Sequence, residues 1–345
     1  MGSEHQDAPQ TNGANTPTQP EGTMRAILQD AYGSPDVFRI AQIRIPEVAD
    51  HQLLVRVHAA GLDRGTWHLM AGQPYLLRLA LGLRKPKNPV PGLDLAGTVV
   101  AVGSVVTRFS PGDEVFGTGH GSFAEYAVAP EDQLALKPAN LSFEQAAVVP
   151  VSGLTALQAL TDVGRVKTGQ RVLIIGASGG VGSYAVQLAK ALGAEVAGVS
   201  STAKLDLVRS LGADHVIDYS REDFADGEHH YDLILDIAGN PTLSRLRRAL
   251  TPTGTAVIVG GEHGGRLTGG LDRQFRAIAL SVFVRQRLTF FVSKERGTDL
   301  ERLTEFIEAG KLTPSIDQTF SLDQVPEAMR NLAAGKVRGK IAITV

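Results

Sequence analysis

The stretch RVLIIGASGGVGSYAVQLAK, residues 171 to 190, constrains this chain more than any other. Four consecutive aliphatic residues run into Gly176, glycines recur at 179, 180 and 182, and apolar residues then return at helical spacing. A continuous apolar strand is buried on both faces, and that pattern belongs to a parallel sheet covered by helices on each side. Four more such strands follow: AEVAGVS (194–200), DHVIDY (214–219), YDLILDIAG (231–239) and TAVIVGG (255–261). Most are separated by helical segments such as SYAVQLAKALG and LDLVRSLG, so the region from residue 151 to about 290 is expected to be a doubly wound α/β domain.

The punctuation before residue 150 is different. LLVRVHAAG (53–61), LAGTVVAVG (95–103) and FAEYAVAP (123–130) are short β-branched or alternating runs, and PGD at 111–113 is turn chemistry before another strand. Residues 24–150 therefore read as a mostly antiparallel β domain. From 291 to 345 come two helical patterns, TDLERLTEFIEAG and QVPEAMRNLAAG, and a last strand, GKIAITV. Residues 1–23, rich in Gln, Thr, Asn and Pro, have neither the cationic start nor the apolar core of a signal peptide and read as a disordered tail.

Composition narrows the chemistry. With no cysteine among 345 residues there is no disulfide, thiolate zinc site or thiol nucleophile. A net charge of -2, with cations scattered among acids, gives no footprint for a nucleic-acid backbone. No run of about 18 apolar residues spans a bilayer, and the expected location is cytoplasmic. Nine histidines remain, but no pair has metal-ligand spacing, and adjacent His229 and His230 point apart.

The strand, glycine turn and helix at 171–190 together make a dinucleotide fingerprint, with Ala177 where the first glycine often stands. Gly179 lets the backbone approach a pyrophosphate, Gly182 lets the helix pack against the strand, and the helix N-terminal N–H groups attract the anion. The end of the next strand separates NAD from NADP. Here Ser200, Ser201, Thr202 and Lys204 occur with no acid before Asp206, which suits a 2′-phosphate, so NADPH is the expected cofactor.

The motifs VRVHAAGLD, VPGLDLAGTVVAVG, FSPGDEVFG, GSFAEYAVAP, AAVVPVSGLTALQAL and GASGGVGSYAVQLAKALGA resemble the medium-chain dehydrogenase/reductase superfamily over nearly everything after Met24. Within it the chain is most similar to the zinc-free quinone oxidoreductase and enoyl reductase branch, with its NAD(P)-dependent alcohol dehydrogenase-like members. The resemblance implies an α/β protein with a GroES-like β-rich catalytic domain, completed by the C-terminal return, and a doubly wound Rossmann domain. It further implies that Ser178, Gly179, Gly180 and Val181 form the phosphate turn and that Ser200, Ser201 and Lys204 line the adenosine-phosphate pocket. It also implies that Tyr219 lies beside the adenine ribose, and Gly239 and Gly260 are expected to end strands at the ligand edge. Lys340 matches a lysine near cofactor phosphate, with a solvated lysine as the alternative.

Where zinc-dependent relatives carry ligands, this chain has Asp63, Leu93 and, approximately, Val148, so no catalytic metal is expected. Reduction of a quinone or an activated C=C bond needs no Lewis acid, because the developing charge spreads into an enolate that a few donors hold. The stretch GLDRGTWHLMAGQPY faces the nicotinamide in relatives, which makes Asp63, His68 and Tyr75 the candidate proton donors or carbonyl ligands. Loop anchoring for Asp63 and His68, and packing for Tyr75, are the competing readings.

The expected function is NADPH-dependent hydride transfer to a small hydrophobic quinone or α,β-unsaturated carbonyl. A non-catalytic NADPH-binding sensor or structural protein and a metal-free ketone or aldehyde reductase are the alternatives. Residues 68–89 and 269–293 mix Leu, Phe and Arg at helical spacing, as a substrate lid or, for the second, as a homodimer interface.

Overall fold

The computed structural model describes residues 20–260, 265 and 267–345. The expected disordered tail lies outside the described residues up to position 19, and Thr23 already opens the strand Thr23–Gln29.

Two sheets carry the architecture. The first has the order Ile316–Ser321, Lys340–Thr344, Gln52–Leu62, Asp94–Val102, Glu114–Thr118, Leu134–Leu136, with Tyr126–Pro130 also paired to Gln52–Leu62. Its outermost pair is parallel and the remaining pairings are antiparallel. The last strand of the chain therefore lies directly against the long strand that ends at Leu62, with Ile341 opposite Leu62. That return brings Lys340 beside the end of the strand leading to Asp63. A separate antiparallel ribbon, Thr23–Gln29 with Phe38–Arg44, packs Ile27 and Phe38 into the same core as Leu53, Val55, Phe123 and Ile341.

The second sheet is wholly parallel: His215–Asp218, Glu195–Ser200, Arg171–Ile175, Tyr231–Asp236, Leu250–Ile258, Arg287–Phe290. Alternate residues of one strand enter different cores. Val172 and Ile174 join one cluster, and Leu173 and Ile175 join the other. A strand buried on both faces has no polar side, which explains the unbroken aliphatic runs. Chain order reverses between Arg171–Ile175 and Tyr231–Asp236, and the crevice outside their carboxyl ends is where such sheets bind ligands.

Two expectations are corrected. Residues 269–293 do not continue as helix: Leu271–Ser281 is helical, but Arg287–Phe290 is the sixth strand of the parallel sheet. The mixed Leu, Phe and Arg spacing hid a four-residue edge strand, which is too short to impose a period of its own. Residues 68–89 hold the end of the helix Arg64–Ala71, a 3₁₀ turn at Tyr75–Leu77 and one short helix, Arg78–Leu81. Gly72 and Gly82 stand at positive φ after these helices, and prolines at 86 and 89 forbid a restart.

The glycine turn shows how tightly helix and strand are joined. A Cβ on Gly182 would lie 2.1 Å from Gly176 O and 2.8 Å from the Ala177 backbone, atoms that cannot rotate away. Gly182→Ala should therefore cost about 1–3 kcal/mol of stability by overpacking. Denaturant unfolding is the check, and an unchanged midpoint would mean that the turn yields.

Candidate active site

At the crevice the chain leaves Ile175, turns through Gly176 to Gly179, and enters the helix Gly180–Ala191. The first amides of that helix have no acceptor within it, which leaves N–H groups and the positive end of the helix dipole facing outward. A Cβ on Gly179 would meet only Gly176 O, at 3.4 Å, so a ligand can approach the backbone there. The half-buried Val181 packs on the core rather than into the opening. Ser178 is buried: its hydroxyl accepts from the Ser200 hydroxyl at 2.8 Å, and its carbonyl accepts from the Gly339 amide at 2.9 Å. The last bond ties the phosphate turn to the C-terminal return.

The segments expected to meet the adenosine come from two neighbouring strand ends. Ser201 precedes the 3₁₀ turn Thr202–Lys204 and makes no cap bond with its hydroxyl. Lys204 spans to the return, its ammonium donating to the carbonyls of Gly335 and Val337 at 2.8 Å each. Tyr219 has an exposed ring, and its amide donates to Ser200 O. Parallel pairing sets Asp218 opposite Ser200, an acid near the pocket that strand-by-strand reading did not supply. Its carboxylate accepts from Thr202 Oγ1 (2.5 Å), Ser220 Oγ and the Ser220 amide, and those hydroxyls hold it below the usual range. Gly239 and Gly260 stand at the carboxyl edge, where the Gly260 amide donates to Asp236 O. Asp236 itself is buried against Arg273 at 2.5 Å, which pins the helix Leu271–Ser281 over this edge.

The centre of the site is a buried Lys340–Asp94 contact that joins the two sheets. Lys340, 1% exposed, donates to Asp94 Oδ2 at 3.3 Å and to Ser152 Oγ at 3.1 Å. Its side chain also covers the phosphate turn, since a Cβ on Gly180 would lie 3.1 Å from Lys340 Cδ. The solvated alternative for Lys340 therefore does not hold. Asp94 Oδ1 accepts from the Val151 amide at 3.0 Å, and Tyr184, packed nearby, donates its hydroxyl to Val148 O at 2.9 Å. Burial raises the Asp94 carboxyl to about 7, with Asp63 adding to the rise and Lys340 opposing it. Burial also raises Glu295, which His120 opposes and Asp63 reinforces. Asp94, Ser152 and Glu295 escaped the reading of the sequence. The available signal was Asp94 itself, an acid inside the apolar run VPGLDLAG, because a buried acid requires a partner.

On the catalytic-domain side, Asp63 caps the helix Arg64–Ala71 through Oδ1, which accepts from the Thr66 amide at 2.8 Å. Its Oδ2 is buried with no hydrogen-bond partner among the described residues. His68 Nδ1 lies 2.8 Å from Gln73 O, which fixes the ring, and Tyr75 is 40% exposed beneath the Arg78 guanidinium. The two stretches considered as a lid meet where Gly269 abuts Pro74, and just before the second one the Leu76 amide donates to Leu267 O at 3.4 Å.

Of the positions where zinc-dependent relatives carry ligands, Leu93 and, approximately, the buried Val148 offer no donor side chain, whereas Asp63 offers a carboxylate. The one group of potential metal ligands among the described residues is exposed: Asp226, Glu228 and His229. It borders a pocket of about 540 Å³ lined by Arg171, Glu195, His215 and Tyr231, where strands begin. That is the amino edge of the sheet, opposite the edge that binds dinucleotides.

Residues 49–139 match the family model of the alcohol dehydrogenase GroES-like domain, and residues 211–343 match that of zinc-binding dehydrogenase. The chain is 35% identical to 2-methylene-furan-3-one reductase of Solanum lycopersicum over 340 residues, covering 93% of this chain and 79% of that protein. It is 34% identical to the chloroplastic NADPH-dependent alkenal/one oxidoreductase of Arabidopsis thaliana, with the same coverage. The quinone oxidoreductase structure from Coxiella burnetii superposes with a TM-score of 0.83 at 31% identity, covering 94% of this chain and all of that one. The fold and the phosphate turn define a nicotinamide-dependent oxidoreductase. The chain belongs to the medium-chain dehydrogenase/reductase superfamily, among its quinone oxidoreductases and enoyl reductases.

The raised carboxyl has a stability consequence with a definite sign. The folded protein holds the Asp94 proton up to about pH 7, whereas an unfolded aspartate releases it near 4. The folded state binds more protons in that window, so stability falls as pH rises from about 4 to about 7 and gains no further slope above. Relative to Asp94→Asn, the wild-type urea midpoint should drop across this range. Parallel curves would overturn the assignment.

Proposed function

We propose that the protein transfers hydride from NADPH to a small hydrophobic quinone or α,β-unsaturated carbonyl without a metal ion in the step. One observation carries this reading: a glycine turn open to a ligand is paired with a zinc-ligand set in which two of three positions, 93 and approximately 148, hold leucine and valine and only Asp63 could donate. Similarity to a 2-methylene-furan-3-one reductase and an alkenal/one oxidoreductase supports the substrate class.

When bound, the nicotinamide supplies the hydride; the other roles fall to side chains and amides. Gly179, Gly180 and the first amides of Gly180–Ala191 cradle the diphosphate beside Lys340, with Ser178 and Val181 shaping the turn. Ser200, Ser201, Lys204 and Tyr219 line the adenosine end, and Gly260 borders the nicotinamide edge. Preference for NADPH rests on Ser201, Lys204 and the exposed Arg221, while Asp218 is occupied by its own hydroxyl donors and is not free for a ribose. Asp63 is the proposed proton carrier, because the helix cap holds Oδ1 and leaves Oδ2 to take up and release a proton. His68 and Tyr75 are the further candidates beside the acceptor carbonyl. A homodimer belongs to the same proposal, supported by the edge strand Arg287–Phe290 with exposed Phe283 and Val292 nearby, and a cytoplasmic location is proposed with it.

Absorbance at the NADPH band, followed with chelator-treated protein against quinones, enones and saturated ketones, should show turnover of the first two. Activity on saturated ketones alone would favour the carbonyl reductase, and cofactor binding without any turnover would favour the sensor. Asp63→Asn, which keeps a helix cap, should lower kcat while leaving NADPH affinity and Tm unchanged. Arg221→Ala should shrink the NADPH-over-NADH ratio of kcat/KM by about tenfold, equivalent to about 1.4 kcal/mol. An unchanged ratio would remove Arg221 from the phosphate pocket.

A further inference from the structure

Between Asp63 and Asp94 the chain has no acid for 30 residues, yet it carries Arg64, Arg78, Arg84, Lys85 and Lys87 in a protein whose net charge is -2. The same run leaves apolar side chains in water. Leu79 and Leu83 are 71% and 68% exposed, Leu76 and Leu77 are also exposed, and Leu267, 62% exposed, adjoins them through the Leu76 amide. Arg78 is turned inward, donating to Gly72 O and covering the rings of Tyr32 and Tyr75. Arg84, Lys85 and Lys87 are exposed, and no ion pair holds them among the described residues. Across the rim, Asp272 is already paired with Arg276 at 2.5 Å. Leucines clustered in the open and ringed by uncompensated cations mark a contact surface rather than a scatter of surface residues.

We propose that residues 75–87 dock the protein on an anionic bilayer surface. The leucines enter the boundary between headgroups and acyl chains, and Arg84, Lys85 and Lys87 meet the lipid phosphates. Charge decides against a second copy as the occupant: a two-fold contact would set this cationic run against itself. No helix among the described residues is long and apolar enough to cross a membrane, so the contact is peripheral. The docking segment follows the helix that bears Asp63 and His68 and touches residues 267–269 at the rim. Attachment would thus set the mouth of the site against the phase in which a lipophilic quinone dissolves. That purpose rests on the proposed function, whereas the docking itself does not.

The test is co-sedimentation of the intact protein with vesicles of phosphatidylcholine alone and of phosphatidylcholine mixed with phosphatidylglycerol, at low and high salt. Binding should occur only on the mixed vesicles and weaken as salt screens the headgroups. Leu79→Ser with Leu83→Ser, and separately Lys85→Glu with Lys87→Glu, should each weaken it at least tenfold while turnover of a water-soluble quinone stays unchanged. Circular dichroism and a cooperative melt establish that the variants fold. Absence of binding by the wild type, or binding that folded variants retain, overturns the proposal. So does a rise in KM for the soluble quinone without a change in vesicle binding, which would make the segment a lid. Self-association that the substitutions abolish, without vesicle binding, would assign the face to a second copy. Vesicle binding by a protein that turns over no quinone or enone would leave docking standing and remove only the proposed substrate class.

Discussion

A lysine ammonium wholly removed from water must be met by charge and hydrogen bonds, and in this protein the place where Lys340 is met is also the place where the two sheets are joined. Asp94 comes from the β-rich sheet, Ser152 from the helix Pro150–Gln158 leading to the parallel sheet, and Gly180 from the phosphate turn. Burial makes each interaction depend on the others. Without Lys340 the carboxylate would stand uncompensated in a dry site, and without Asp94 the ammonium would. The same constraint leaves little room for a side chain at Gly180, where a Cβ would press on the lysine, and it holds the C-terminal strand against Gln52–Leu62.

From that joint the chemistry divides by side. The parallel sheet offers an open backbone, helix-terminal amides and hydroxyls at its carboxyl edge, the kind of surface that suits phosphates and riboses. Facing it are carboxyl groups in a low-dielectric setting: Asp94 with its raised titration and Asp63 with an unshared oxygen from the β-rich sheet, and Glu295, raised by burial, from the segment before the helix Gly297–Glu308. Buried acids beside an open glycine turn can handle protons and developing charge through their own groups, which suits hydride transfer to an acceptor that delocalises charge.

The parts of this architecture most visible in the sequence are those in which one strand or turn reports on itself. Val172 to Ile175 read as doubly buried because their alternate side chains enter two cores, and the glycines at 179 and 182 read as a phosphate turn because their spacing meets a local steric demand. Arg287–Phe290 was invisible because four residues at a sheet edge carry no period. The partner of Lys340 was invisible because 246 positions separate it from Asp94.

Periodicity and local sterics thus dictate the two-domain class, the parallel sheet and the dinucleotide turn, since neighbouring residues settle each of them. Only the tertiary structure decides that Lys340 is buried rather than solvated, that Asp218 stands opposite Ser200, and that Asp63 keeps one oxygen free. The physical reason is that the proton affinity and pairing of a polar side chain depend on desolvation and on charges that distant segments supply. Those quantities come into being when the last strand returns to the sheet.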